Sequence, residues 1–102
     1  MLKSTLVAAC LLAGPAFAET ATDAYKTAMN TMMGSMMIPY TGNADYDFIK
    51  GMVPHHQGAV DNARIVLQYG TDPDVRKFAE SVIAAQEAEI KWMNDWLAAH
   101  PQ

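Results

Sequence analysis

The stretch ADYDFIKGMVPHHQGAVDNARIVLQY, Ala44 to Tyr69, carries the pattern that decides the fold. Phe48, Met52, His55 or His56, Ala59, Ala63 and Val66 recur at three- and four-residue intervals and share one face, which Ile49, Val53, Val60 and Leu67 widen. A run of this length without strand alternation predicts one long amphipathic helix. Asn43 or Asp45 is the expected cap, because a short oxygen-bearing side chain accepts from the free amides of the first turn. Gly70 is the expected stop. Pro54 lacks an amide proton and its ring meets the carbonyl of Lys50, so a kink is expected directly before the histidine pair.

Downstream, Thr71-Asp72-Pro73-Asp74 opens another helix, with Asp72 as cap and Pro73 at the first helical position. Val75, Ala79, Val82, Gln86, Ile90, Met93 and Leu97 then repeat at helical spacing, Phe78 and Ile83 broaden the stripe, and the helix should run to about Ala99. Upstream, Tyr25, Met29, Met32, Met33, Met36 and Met37 make a broad stripe on a helix from about Thr22 to Met37. Gly34 weakens that helix by about 1 kcal/mol relative to alanine. Pro39 and Tyr40-Thr41-Gly42-Asn43 end it. Three amphipathic helices with short connections imply an all-α antiparallel bundle. Three helices leave a groove open. A split of the second helix at Pro54 would supply a fourth, or two chains would pair as a homodimer to close the core.

The first residues read as a secretory signal. Lys3 is the positive region, Leu6 to Ala13 the apolar region, and Ala16-Phe17-Ala18 a small-x-small cleavage site. Cleavage after Ala18 is expected, dividing the chain into a signal over 1–18 and one Met/His-rich domain over 19–102. Val7-Ala8-Ala9-Cys10 also looks like a lipobox, but apolar sequence continues past Cys10 to the better site. The apolar run is shorter than the roughly 20 residues a span needs, so no stable membrane insertion is expected after cleavage. Cys10, the only cysteine, leaves with the signal, and no disulfide can then form. Without Lys3 the chain keeps six basic against eleven acidic residues, a net charge of −5. There is no basic stripe, which argues against a nucleic-acid partner.

Methionine is then the only sulfur. Met29, Met32, Met33, Met36 and Met37 fall within nine residues, and Met52, His55 and His56 follow in Gly51-Met52-Val53-Pro54-His55-His56. Thioether and imidazole together suit soft, monovalent copper. A methionine stripe is also ordinary core, since Met fills irregular gaps. Yet Leu packs as well and specifies structure better, and this helix has no Leu or Val. On a helix Met52 lies beside both histidines, while His55 and His56 point about 100° apart and cannot both reach one ion in ideal geometry. One of them should face the bundle and the other a rim or a partner. Met93 lies on the buried face of the third helix, with Gln86 and Glu89 near it. These two are candidates for orienting a ligating histidine from behind.

Other chemistries lack their signatures. The sequence has no Glu-x-x-His pair of the di-iron bundles, no His-Glu-x-x-His, no Gly-x-Ser-x-Gly and no phosphate-binding glycine loop. Catalysis has no positive support, and the expectation is a protein that is not an enzyme.

The stretch from Asp45 to Leu97 resembles a bacterial family catalogued as domain-of-unknown-function family 305, which includes the CopM-like periplasmic copper-binding proteins. The matching text is Asp47-Phe48, Met52-Val53-Pro54-His55-His56-Gln57-Gly58-Ala59, Asp72-Pro73, Val75-Arg76, Ala79, Gln86, Glu89-Ile90, Met93 and Trp96-Leu97. The resemblance implies a ferritin-like bundle of three to four helices, export to the periplasm, and binding of copper, or the related silver ion, through Met and His. Residue by residue it supports Met52, His55, His56 and Met93. One departure is Asn62, where many relatives carry methionine.

The expectation is therefore a periplasmic metallochaperone or buffer in copper tolerance. It prefers Cu(I), can take Cu(II) at His55 or His56, and exchanges its ion with a copper-transport protein. Two rivals stand beside it: a metal-free helical interaction module with a Met-rich groove, and a bundle binding haem non-covalently, since no Cys-x-x-Cys-His site exists.

Overall fold

The computed structural model describes residues 18–102. The signal reading, Cys10 included, lies outside the described residues except for Ala18. Three helices follow in order, α1 (Ala21–Met36), α2 (Ala44–Tyr69) and α3 (Pro73–Ala99). The described residues form an all-α bundle of three helices. None of the described helices is long and apolar enough to cross a membrane.

The ends of the helices are set by local chemistry. Thr20 and Asp23 form a reciprocal capping box at the start of α1. Asn43 caps α2 by accepting from the amide of Tyr46 at 3.0 Å. Asp72 caps α3 by accepting from Asp74 and Val75, with Pro73 in the first turn. Gly70 ends α2, though not in the left-handed conformation: its φ is −77°. A Cβ at this position would stand 2.6 Å from the carbonyl oxygen of Val66. Close approach, rather than positive φ, is what favours glycine there. Arg76 then reaches back from α3 to the carbonyls of Leu67 and Gly70 at 2.8 and 3.0 Å, serving acceptors that the end of a helix leaves free.

Helix α2 runs unbroken through Pro54, so the bundle gains no fourth helix from a split. It is also the middle element. Both α1 and α3 pack on it, while the backbones of α1 and α3 do not approach each other. The core is correspondingly thin: Val60, Ala63 and Ile65 from α2, Ala79 and Met93 from α3, with Gly58 buried among them. No residue of α1 is fully buried. At the α1–α2 crossing the side chain of Met32 lies over Gly58, where a Cβ would overlap its Sδ and come within 3.0 Å of its Cγ.

The α1–α2 loop is tied down by one carboxylate. Asp47 accepts from the amide and hydroxyl of Thr41 at 2.9 and 2.8 Å and from the amide of Gly42 at 3.1 Å. Gly42 has φ +89°, a conformation that favours glycine. The Thr41 amide, followed by the Thr41 hydroxyl and Gly42 amide, outweighs desolvation and holds the Asp47 carboxyl below its ordinary value.

Candidate metal centre

Two side-chain pairs, each one helical turn apart, face one another across the α2–α3 seam. Helix α2 contributes Met52 and His56, and α3 contributes Glu89 and Met93. With Phe48, Ile49 and Trp92 they line a pocket of about 250 Å³. The antiparallel packing makes this possible. Spacing of four residues keeps each pair on one face, and the short connection through Thr71 holds the two faces in register.

His56 is oriented at both nitrogens. Its Nδ1 lies 2.9 Å from the carbonyl oxygen of Met52, which can only accept, so Nδ1 carries a proton. Its Nε2 lies 2.5 Å from Oε2 of Glu89. At that distance a proton lies between Nε2 and the carboxylate, so with Nδ1 committed to the backbone an ion would take Nε2 by displacing that proton, and the carboxylate can itself ligate. A metal-binding imidazole usually has its other nitrogen held in this way. His56 is half-buried and Glu89 exposed, so the pair sits at the pocket rim. Met93 is 5% exposed and Met52 half-buried, and both line the pocket. Among the described residues no three His, Cys, Asp or Glu side chains gather in one place. The donors that converge here are two sulfurs, one imidazole nitrogen and one carboxylate.

The remaining candidates are placed elsewhere. His55 is exposed, and its ring centroid lies 6.2 Å from that of His56 at a tilt of 58°. Gln86 is half-buried on α3 and makes none of the hydrogen bonds to the His56 ring, which come from Met52 and Glu89. The α1 cluster divides. At about 100° per residue, Met32, Met36, Met29, Met33 and Met37 fan in that order around about 140° of the helix. Helix α2 covers one edge of the fan. Met32 and Met36 are half-buried, whereas Met29, Met33 and Met37 are 51, 55 and 83% exposed. Met36 lines a second hollow that it shares with Met52, Phe48 and Tyr40, so one α1 thioether borders the seam site from behind.

Sequence reasoning did not single out Trp92 or Phe48 as part of this site. The signal was present: Trp92 stands three residues after Glu89, and Phe48 four before Met52, both helical neighbours of a candidate ligand.

A family model, DUF305, a domain of unknown function, matches residues 12–97. A stretch of 53 residues, 52% of the chain, is 32% identical to part of a protein of Acanthamoeba polyphaga mimivirus described as "Uncharacterized protein L153". The matched part is 35% of that viral protein, so the chain spans about a third of its length.

Proposed function

The chain belongs to the DUF305 family, and on that premise we propose that it is a periplasmic copper-binding protein, a metallochaperone or buffer in copper tolerance, with Cu(I) as cargo. The observation that carries this reading is the convergence of Met52, His56, Met93 and Glu89 in one pocket whose other walls are apolar. Two neutral thioethers and an imidazole match a soft monovalent ion, and Ag(I) is chemically close. Cu(II), a harder ion, would rely on His56 and the Glu89 carboxylate, with exposed His55 as an outer contact. Thioethers are neutral and weak one by one, which favours release to an acceptor protein and suits a carrier rather than a catalyst.

The exposed methionines of α1 support a second reading of that surface alone. Met29, Met33 and Met37 form an adaptable apolar strip on which a partner protein can repack.

The test is anaerobic titration with Cu(I) against a chromophoric competitor. Saturable binding near one equivalent, lost in His56→Ala and in Met52→Leu with Met93→Leu, is expected. Full affinity in those variants would remove the seam from the reading. No competition by the unaltered protein would remove copper from it.

A further inference from the structure

We propose that Trp92 is part of the soft-ion site, its indole face closing the pocket over the ion held by Met52, His56 and Met93 and selecting Cu(I) and Ag(I) over cations that keep water. This rests on the reading of the seam pocket as a Cu(I) site.

Position is the first argument. Trp92 shares a helical face with Glu89, adjoins Met93, and lines the same pocket as Met52 and His56. Burial is the second. The core is short of large side chains, yet this indole is left 60% exposed at the pocket wall instead of being spent on packing. Large aromatics ordinarily contribute their area to a core or an interface. Trp96, one turn further on, shows the other fate: it is stacked on His100 with centroids 4.1 Å apart and planes 13° from parallel. Trp92 has no such stacked partner among the described residues.

Chemistry is the third argument. Tryptophan offers the strongest aromatic face to a cation within about 6 Å of the ring centroid. Cu(I) and Ag(I) accept sulfur ligands and few of them, so one side of the ion can rest against a ring. A hard divalent ion needs oxygen donors or water on that side, and an indole supplies no acceptor atom. Across the pocket Phe48 is 62% exposed and gives the weaker aromatic face. The ring therefore acts as a discriminator: it admits the ion that can shed water and opposes the one that cannot.

The experiment uses protein purified after export from cells expressing the full chain. In Trp96→Phe the emission of Trp92 is read alone, while Cu(I) occupancy is measured in parallel by competition. The expected result is quenching of Trp92 emission by Cu(I) and by Ag(I), saturating at the same equivalent as occupancy, with no response to Zn(II). Trp92→Leu should weaken Cu(I) binding roughly 3- to 30-fold and leave weak Zn(II) binding unchanged, and Trp92→Phe should recover part of the loss. A lost fold would weaken all metals alike and remove the helical signal in circular dichroism, which separates it from the selective loss expected. If Cu(I) occupies the protein while Trp92 emission is unmoved and Trp92→Leu binds within twofold of the parent, the inference is overturned and the copper reading stands. If the competitor shows no Cu(I) binding at all, both fall.

Discussion

Helix α1 and the α2–α3 seam draw on the same soft side chains and end in opposite states. The α1 stripe is the denser of the two in sequence, yet three of its five methionines face solvent. The seam has only Met52 and Met93, but they meet His56 and Glu89 in one pocket. The difference lies in what stands opposite. Among the described residues only the backbone of α2 comes close to that of α1, and a fan of thioethers spread around the helix cannot converge on one line of contact. Helices α2 and α3 lie antiparallel over most of their length, so a pair on one is met by a pair on the other. Density of ligand-type residues along one helix does not bring them together; facing pairs on packed helices do.

The largest expected effect separates the two regions directly. Met52→Leu with Met93→Leu should weaken Cu(I) binding by about a hundredfold or more, at some 1.4 kcal/mol or more per lost ligand. Met29→Leu with Met33→Leu and Met37→Leu should change it less than about threefold, by the same competition assay. Equal losses would erase the distinction.

Stability should divide along the same line. Met93→Ala removes a buried side chain and should cost about 2–5 kcal/mol in urea unfolding. Met29→Ala, at a solvent-facing position, should stay within about 0.5 kcal/mol. A large cost at Met29 would show that α1 buries it against something else, a second copy of the chain being the first to examine by sedimentation.

A smaller effect probes the one place where α1 is tightly seated. Gly58→Ala sets an overpacking cost of about 1–3 kcal/mol against a helix-propensity gain of about 1 kcal/mol, so Tm should fall by no more than roughly 10–15 °C. In a Met32→Ala background the obstruction is gone and the same change should raise Tm. An unchanged sign would mean that Met32 does not hold the crossing.

The smallest effect belongs to the α1–α2 loop. The folded state lowers the Asp47 pKa, chiefly through the Thr41 amide, so its contribution is fully present above the ordinary carboxylate pKa and is lost as pH falls through the lowered value. Asp47→Asn should melt slightly earlier than the parent at neutral pH and converge with it as pH falls below the ordinary carboxylate range. A constant gap would assign the effect to lost geometry rather than charge.

Most of the fold was legible because its punctuation is local. Asn43, Gly70 and Asp72-Pro73 mark helix ends by chemistry that needs no tertiary partner, and the α2 boundaries follow from them. Which of His55 and His56 faces the bundle was not legible, since both lie one turn from Met52. The choice is made by α3, which brings Glu89 to His56, and by the Met52 carbonyl that holds the ring. The division of the α1 methionines was hidden for a related reason: periodicity defines a face but not how much of it a neighbour covers. Trp92 escaped notice because an aromatic on an amphipathic helix reads as packing until its exposure is known.

The most direct measurement is NMR of protein labelled with 13C at the methionine methyls, titrated with Ag(I), each signal assigned by a Leu substitution. The seam site predicts that the Met52 and Met93 methyls shift first and saturate together at one equivalent, with Met29, Met33 and Met37 unmoved at that point. Early shifts confined to the α1 methionines, with Met52 and Met93 silent, would contradict it.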